Sequence, residues 1–285
     1  MRYLIFGAGG GLGQAFMKNL GSDAIGFTHA ECDVTDANAV SAAFERIKPR
    51  VVINASGYTA VDKAEIERDR AIAVNATGVD ILARECVPWN IPFVTFSTDY
   101  VFSGEGSTPL TETDPIDPRS VYGQSKAAGE TLALQNPTAL VIRTSWLYSE
   151  NGKSFPRSIL TKTLASEIVK VVDDQQSSPT FSPDLVEATL TLLDRGAKGL
   201  FHFSSSGVTN WNAFAAEAIR IMGTLTGQTF PEPAVIKTSD LKLAAPRPAY
   251  SALSCEKARQ EGVRQRSWQA ALADFAERLK ASGTL

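Results

Sequence analysis

The sequence is poor in the residues that build disulfide and metal sites. Three cysteines (Cys32, Cys86 and Cys255) stand far apart without C-x-x-C spacing, and the two histidines, His29 and His202, each stand alone. Disulfide scaffolds and structural zinc sites need paired or clustered cysteines. A histidine-based metal site or a Ser–His triad is equally unexpected. The sequence therefore predicts a cytoplasmic protein that works without a metal.

The chain also lacks a strong net charge and a long apolar run. It carries 28 basic and 31 acidic side chains, whereas a nucleic-acid-binding protein usually shows a basic stripe. The densest basic segment, Arg259 to Arg266, is short and contains Glu261, so we interpret it as a solvated helix edge. No run approaches the roughly 18 apolar residues of a membrane helix, and the first residues lack the apolar stretch of a secretory leader. We expect neither a nucleic-acid partner nor membrane attachment.

Two alternating patterns run through the first half of the chain. Short apolar runs predict strands, and the longer amphipathic stretches between them predict helices. Near-continuous apolar strands separated by helices indicate a parallel sheet covered on both faces. The predicted fold class is therefore α/β, with a Rossmann-type, doubly wound sheet. The predicted strands are Tyr3–Phe6, Ala24–Thr28, Val51–Asn54, Pro92–Ser97 and Ala139–Arg143, and the predicted helices are Leu12–Leu20, Ala37–Ile47, Asp69–Cys86 and Val121–Gln135.

The second half shows a looser pattern, which indicates a smaller C-terminal lobe. Residues 1–145 and about 180–205 are predicted to form the sheet domain, and about 146–179 and 206–285 to form the lobe. Such a lobe would cover the carboxyl ends of the strands, where ligands bind in open α/β sheets. The predicted elements here are strands at Ile168–Val172 and Leu200–Ser204, helices at Pro183–Asp194, Asn212–Met222 and Trp268–Lys280, and a proline-broken segment from Pro231 to Pro248.

A glycine-rich turn follows the first predicted strand and opens a helix. Glycines at positions 7, 10 and 13 allow a tight turn, close approach of the backbone to a diphosphate, and tight packing of helix against strand. The helix N-terminus adds free N–H groups and a partial positive charge. This context predicts a dinucleotide site, with a purely structural turn as the alternative. The expected contacts are Gly7, Gly10, Gly11, Leu12 and Gly13.

The end of the second strand bears on the choice between NADH and NADPH. An acid there would hydrogen-bond the ribose 2′-hydroxyl and repel a 2′-phosphate, but this strand ends at Thr28 and His29. These two residues permit NADPH, which is slightly favoured. No arginine is present here that would require NADPH, and Glu31 could still turn towards the ribose. Asp33 and Val34 suit a contact with the adenine edge, and a turn aspartate is the equal alternative.

A tyrosine and a lysine, Tyr122 and Lys126, stand four residues apart at the start of a predicted helix. That spacing puts both side chains on one face. A phenol loses its proton near pH 10, and a nearby ammonium lowers the pKa of the phenol by stabilising phenolate. Such a pair can pass a proton to or from a substrate oxygen. The alternative is a surface tyrosine beside a solvated lysine.

The segment Ser97–Phe102 leaves a buried strand and places hydroxyl groups at its carboxyl end. A catalytic hydroxyl that shares a carbonyl oxygen with Tyr122 would lie at this position. The same residues also suit an ordinary helix cap or turn, so the segment carries weight in combination with the Tyr–Lys pair.

Together these motifs resemble the extended short-chain dehydrogenase/reductases, and within them the dTDP-4-dehydrorhamnose reductase family. The resemblance spans nearly the whole chain, and the T-A-V-D-K-A-E and S-T-D-Y-V-F segments are its specific parts. The matching segments are the glycine turn, Asn54–Glu65, Ser97–Phe102, Tyr122 with Lys126, Arg143–Trp146, Asp174-Gln175, Pro179-Thr180, Gly199–His202, Gly207, Trp211 and Arg247–Leu253.

The resemblance implies reduction of the C4 ketone of dTDP-4-dehydrorhamnose by NADPH or NADH, giving dTDP-L-rhamnose. Tyr122 would donate the proton, Lys126 would tune it and hold the nicotinamide ribose, and Thr98 would steady the substrate oxygen. The remaining implied cofactor residues are Gly57, Tyr58 and Thr59 after the third strand, and Asn75, the family's structural asparagine.

The resemblance further implies a substrate site in which Thr98, Asp99 and Trp146 face the sugar. Arg247 suits a nucleotide diphosphate because a guanidinium binds phosphate bidentately; a salt bridge between the two lobes is the alternative. For Trp211, a core-filling role is favoured.

Two positions depart from the family's pattern. Ser177 stands where glycine is common and Tyr250 where asparagine is frequent, and both bear on the identity of the sugar more than on the chemistry. Three alternatives remain: a reductase for another deoxysugar, an epimerase or dehydratase that retains NAD, and a non-catalytic NADP-binding regulatory subunit like the beta subunit of methionine adenosyltransferase. The sequence leaves the oligomeric state open, and a homodimer is compatible with it.

Overall fold

A six-stranded sheet forms the centre of the computed structural model, which describes residues 2–165 and 167–283. All neighbouring strands in it are parallel, in the order β2-β1-β3-β4-β5-β10. The succession of strands reverses beside β1, which creates a topological switch point between β1 and β3. The strands are β1 (Tyr3–Phe6), β2 (Ala24–Phe27), β3 (Val51–Asn54), β4 (Phe93–Thr98), β5 (Ala139–Thr144), β6 (Leu147–Tyr148), β7 (Lys170–Val172), β8 (Gln176–Ser177), β9 (Thr180–Phe181), β10 (Gly199–His202), β11 (Thr209–Asn210) and β12 (Ala234–Ile236).

Helices cover both faces of the sheet because successive side chains of a strand point to opposite faces. Tyr3 and Ile5 pack with residues of α1 and α8, whereas Leu4 and Phe6 pack with residues of α2 and α5. The α/β, doubly wound, Rossmann-type fold class is thereby confirmed. The helices are α1 (Gly11–Leu20), α2 (Ala37–Ile47), α3 (Val61–Ala64), α4 (Arg68–Ile72), α5 (Gly78–Trp89), α6 (Val121–Ala133), α7 (Phe155–Leu164), α8 (Ser182–Asp194), α9 (Trp211–Thr226), α10 (Glu256–Gln260) and α11 (Trp268–Ala281).

The predicted helix Asp69–Cys86 is interrupted at its centre. It consists of α4, a π-helical turn at Ala73–Thr77, and α5. The widened turn lies against α6, where a Cβ at Gly129 would collide with the carbonyl oxygen of Asn75. Periodicity alone does not show such a bulge, because one extra residue in a turn barely changes the apolar pattern; π-bulges are frequent at functional sites.

The C-terminal residues form a second layer of helices and short strands around their own aromatic core. Tyr148, Phe181, Phe214 and Phe275 pack together between α9 and α11. Three strand pairs in the described residues (β6 with β9, β7 with β12, and β8 with β11) complete this part. Strand β12 lies inside the proline-broken segment, where no strand was predicted.

The basic segment from Arg259 to Arg266 is the predicted solvated helix edge at its start, where Arg259 is exposed on α10, but not at its end. Helix α10 ends at Gln260, and Arg266 forms ion pairs with Asp184 and Asp274 at 2.7 and 2.8 Å. The prediction is wrong for Arg266 because both acids belong to other helices, and local composition does not show them. No helix in the described ranges has the length and apolar content that a bilayer crossing requires.

Candidate active site

A continuous groove runs across the carboxyl ends of the sheet strands at the switch point. It comprises three adjoining cavities of about 180, 290 and 370 Å³. Ser56 and Gly57 line both the first and the second cavity, and Tyr122 and Trp146 line both the second and the third. Most of the residues predicted for the cofactor and the catalytic centre therefore border one groove.

The glycine turn is packed as a dinucleotide-binding turn requires. Gly7 has a φ of +78°, and a Cβ on it would lie 2.5 Å from the Ser56 amide nitrogen. A Cβ at Gly13 would collide with the carbonyl oxygen of Gly7. No side chain of the described residues caps α1, whose first residues, Gly11 and Leu12, line the groove. The N–H groups of this first turn are therefore placed to bind an anion.

An acidic residue, Glu31, lies at the tip of β2. Glu31 accepts hydrogen bonds from both the amide and the hydroxyl of Thr28, each at 2.8 Å, and these bonds lower the pKa of Glu31. Thr28 is therefore tied to Glu31. Asp33 takes the turn role that the sequence left open, since it accepts from the amide and hydroxyl of Thr35.

The first cavity contains a cation that sequence reasoning missed. His29, Asp33 and Val34 line this cavity together with Arg70 of α4. The Arg70 guanidinium lies 5.9 Å from the centre of the Tyr58 ring and pairs with Glu67 at 3.3 Å. No motif marks Arg70, because it reaches the cavity from a helix 40 residues downstream of β2.

The loop after β3 is held by the π-helical turn. Asn75 accepts from the Tyr58 amide at 2.8 Å and donates to the Tyr58 carbonyl at 3.0 Å and to Ser125 at 3.0 Å. Gly57 and Thr59, on either side of Tyr58, line the second cavity. The buried amide of Asn75 thus fixes the backbone that forms one wall of the groove.

Helix α6 presents Tyr122 and Lys126 to the groove. Ser120 caps the helix by accepting from the Gly123 amide, and Glu65 accepts from the Val121 amide at 2.8 Å. The Lys126 ammonium donates to the Phe96 carbonyl at 2.6 Å, and burial lowers its pKa to about 8. A lysine held at a neutral carbonyl is positioned to bind further hydroxyl groups that enter the groove.

The pKa of Tyr122 moves in the direction opposite to the one expected from the Tyr–Lys spacing. Burial raises it to about 12, although a hydrogen bond with Thr98 acts in the lowering direction, and the charge of Asp99 adds to the rise. Lys126 does not offset this rise, because its ammonium is turned to Phe96. In the protein without ligand, Tyr122 is therefore a protonated phenol at neutral pH.

One buried polar atom in the groove supports a nucleotide occupant. Ser97, at the end of β4, lines the second cavity, and its hydroxyl is buried with no hydrogen-bond partner in the described part of the chain. Buried hydroxyl groups are normally paired. Together with the uncapped start of α1 and the groove-facing Lys126, this fits a ligand that carries diphosphate and ribose groups.

An aromatic pair closes the outer end of the groove. Trp146, in the left-handed region with a φ of +46°, stacks on Trp211 with ring centres 3.7 Å apart and an interplanar angle of 12°. Both rings line the third cavity, together with the cation Lys153. Trp211 packs against the C-terminal core, as the sequence favoured, and it also lines the third cavity.

Two of the predicted substrate residues are engaged elsewhere. Arg247 donates to Asp62 at 2.6 Å and to the Ala245 carbonyl, so the structure places it in the alternative role, a salt bridge between the two lobes. Asp99 lines the third cavity, but it is 2% exposed and its carboxylate accepts from Ser251 and Thr98. Asp62 lies 185 positions from Arg247 and Ser251 lies 152 positions from Asp99, so no motif reveals these two contacts.

Comparison with known proteins identifies the family. The family model described as "RmlD substrate binding domain" matches residues 1–281. The dTDP-4-dehydrorhamnose reductase of Aggregatibacter actinomycetemcomitans is 37% identical over 287 residues, which cover 95% of this chain and 97% of that protein. The chain is therefore similar in sequence to a named reductase over almost its full length.

Solved structures agree with the sequence match. A dTDP-4-dehydrorhamnose reductase from Clostridium acetobutylicum aligns with a TM-score of 0.93 and 34% identity, covering 98% of this chain and 100% of that chain. The dTDP-4-dehydrorhamnose reductase of Bacillus anthracis, solved in complex with NADP, aligns with a TM-score of 0.92 and 31% identity, covering 97% and 99%. The family resemblance seen in the sequence is confirmed, and the chain belongs to the RmlD substrate binding domain family.

Proposed function

We propose that this chain is the NAD(P)H-dependent reductase that converts dTDP-4-dehydrorhamnose to dTDP-L-rhamnose in deoxysugar biosynthesis. The observation that carries the proposal is the convergence of Thr98, Tyr122 and Lys126 on one groove that begins at the glycine turn. Family members at about this identity are named as this reductase. The three cysteines are unpaired and buried, as in proteins of a reducing compartment, and we propose a cytoplasmic location.

In the proposed division of labour, residues 1–145 and about 180–205 bind the cofactor, and about 146–179 and 206–285 select the sugar nucleotide. The first turn of α1 would hold the diphosphate. The first cavity, which Val34 lines, would hold the adenosine, and Lys126 would hold the nicotinamide ribose. When bound, NADPH or NADH supplies the hydride that reduces the C4 carbonyl carbon. Trp146 would contact the sugar in the third cavity, which the cation Lys153 also lines.

The proposed proton donor is Tyr122. Its raised pKa keeps the phenol protonated at neutral pH, which suits a reduction because the C4 oxygen must gain a proton as negative charge develops on it. Thr98 would hold the same oxygen by a hydrogen bond. As Tyr122 gives up its proton, the Lys126 ammonium would stabilise the phenolate, which places the lysine's electrostatic effect in the transition state rather than in the resting protein.

Absorbance at the reduced-nicotinamide band tests this function directly. With dTDP-4-dehydrorhamnose supplied, we expect oxidation of NADPH, of NADH or of both, with dTDP-L-rhamnose as product. Oxidised nicotinamide retained through purification, without net oxidation of added cofactor, would instead indicate an epimerase or dehydratase. Absence of oxidation with either cofactor would favour the regulatory-subunit alternative.

Glu31 is expected to set the balance between the two cofactors. Its carboxylate occupies the Thr28 donors at the β2 tip, where a 2′-phosphate would have to bind. We expect Glu31→Gln to raise the ratio of kcat/KM for NADPH to that for NADH by about fivefold, because two unit charges 4 Å apart repel by about 1 kcal/mol in water. Initial rates with each cofactor measure the ratio.

Glu45→Gln provides the matched control, since Glu45 is exposed on α2 and the substitution changes the net charge equally. The ratio should stay at its wild-type value in this variant. An unaltered ratio in Glu31→Gln as well would show that Glu31 does not face the ribose.

A further inference from the structure

Asp99 is a buried carboxylic acid beside the proposed proton donor, and the mechanism above assigns it no task. It directly follows Thr98 at the carboxyl end of β4 and opens a 3₁₀ turn, Asp99–Val101. Only 2% of the residue is exposed. A carboxylate in such a place is costly unless it is paired and hydrogen-bonded, so its partners indicate what it does.

The two oxygens of Asp99 have different partners. Oδ2 accepts from the hydroxyl of Ser251 at 2.5 Å and from that of Ser177 at 3.5 Å. Oδ1 accepts from the hydroxyl of Thr98 at 3.1 Å. The two serines are themselves fully buried and come from the C-terminal lobe. Ser177 also reaches the Ser251 carbonyl oxygen at 3.2 Å with its one proton, so Ser251 is the strong donor to Oδ2. This short bond on Oδ2 leaves Oδ1 as the oxygen that would carry a proton.

No cation among the described residues neutralises Asp99. The titratable groups that respond to its charge are the phenols of Tyr100 and Tyr122, whose pKa values it raises. The positive charge of Arg247 acts to lower the pKa of Tyr100. Burial raises the pKa of Asp99 to about 6, while the hydrogen bonds from Ser251, Thr98 and Ser177 act in the lowering direction. Both protonation states of Asp99 are therefore accessible near neutral pH.

The hydroxyl of Thr98 has one proton to donate. Its oxygen already accepts from the Tyr100 amide at 3.2 Å. Asp99, Tyr122 and a substrate oxygen compete for this proton; when Asp99 is ionised, the Thr98 proton is committed to Oδ1 and is withheld from both the phenol and the substrate oxygen. When Oδ1 carries a proton, Asp99 donates to Thr98, and the threonine proton is released towards the groove.

We propose that Asp99 is a positioning residue whose proton on Oδ1 turns the Thr98 hydroxyl towards the C4 oxygen of the substrate. This inference rests on the proposed reductase function. The serines of the C-terminal lobe hold Oδ2, so that docking of this lobe on β4 decides which carboxyl oxygen faces Thr98. In this arrangement the neutral acid is the competent form.

A double-mutant cycle separates this role from a general structural one. We expect Asp99→Ala to lower kcat at least tenfold with an unchanged Kd for the cofactor. In a Thr98→Val background the same substitution should change kcat less than twofold, because there is no hydroxyl left to orient. Asp99→Asn should recover most of the loss, since its amide can donate to Thr98 while its oxygen accepts from the serines.

The pH profile gives a second readout. Wild-type kcat/KM should fall as pH rises through the pKa of Asp99, because the neutral form is lost, and Asp99→Asn should lack that fall. Ser251→Ala removes a donor to the charged form and should move the midpoint to higher pH. Asp117→Ala, an exposed acid on the segment that follows, should leave the profile as in the wild type.

Two outcomes would overturn the inference: an Asp99→Ala loss that persists in the Thr98→Val background, or an Asp99→Asn profile that keeps the wild-type fall. Failure of the proposed function would look different. In that case the wild-type protein itself would oxidise neither cofactor with the keto-sugar, and no variant would be compared.

Discussion

Replacing Tyr122 with phenylalanine is expected to lower kcat by about 10²–10⁴-fold, the range typical for loss of a general acid. The phenol lines the same cavity of the groove as Thr98 and Lys126. Burial keeps it protonated, so the substitution removes the proton itself and little volume. Steady-state rates with the keto-sugar measure the loss.

Cofactor binding should survive this substitution, with Kd within about twofold of wild type, because the α1 turn and Lys126 remain in place. Tyr3→Phe is the matched control, since Tyr3 lies at the amino end of β1, the edge of the sheet opposite to the groove. Loss of the Tyr3 hydroxyl should leave kcat as in the wild type. A Tyr122→Phe enzyme with most of its reductase rate would assign the proton to another group.

The largest expected effect on stability comes from the buried pair Glu130–Arg143. The guanidinium of Arg143 on β5 donates to the two carboxylate oxygens of Glu130 on α6 at 2.9 and 2.7 Å, and both side chains are at most 5% exposed. Glu130→Gln leaves the arginine charge buried without its counter-ion. We expect the free energy of unfolding to fall by about 3–5 kcal/mol.

The surroundings of Arg143 do not compensate for that loss. His202, at 3.4 Å, stays neutral, since burial and the charge of Arg143 lower its pKa to about 3. The ring of Phe102, 5.0 Å away, offers a weaker attraction. Within residues 2–165 and 167–283, Arg143 therefore has no ion pair other than the one with Glu130.

Urea denaturation of Glu130→Gln, compared with Asp80→Asn, measures this effect. Asp80 pairs with Arg84 at 2.8 Å on the surface of α5, where Arg84 is 73% exposed, and such pairs contribute about 0–1 kcal/mol. The double variant Glu130→Leu with Arg143→Met should regain much of the stability, because it removes both buried charges. A loss below about 1 kcal/mol in Glu130→Gln would mean that water reaches the pair.

The Tyr–Lys spacing predicted that both side chains share one helix face, which lines the groove, but it predicted the wrong direction for the pKa of Tyr122. A four-residue separation on a helix is local, so the sequence places Tyr122 and Lys126 side by side on one face. The pKa of Tyr122 depends on how deeply the phenol is buried and on what else the ammonium contacts. Lys126 donates to Phe96, 30 residues away on β4, and this contact was not available from the helix sequence.

The contacts of the predicted substrate residues were likewise not available from the local sequence. Arg247 pairs with Asp62 across 185 positions, and Asp99 is held by serines 78 and 152 positions away. The stacking of Trp146 on Trp211 and the approach of Arg70 to the first cavity also join distant segments. No periodicity or motif contains such pairs, because each depends on how distant segments of the chain pack together.

The sequence by itself determined the α/β fold class, the approximate extents of the strands, the glycine turn and the family. These depend on apolar periodicity, on glycine at positions without room for a Cβ, and on short motifs, all of which are local in the chain. The tertiary structure alone decided which charges are free to meet a ligand. Arg247 pairs with Asp62, Glu31 accepts hydrogen bonds from Thr28 at the β2 tip, and Asp99 accepts one from Thr98. Hydrogen bonding and burial of these groups are determined only when distant segments come together.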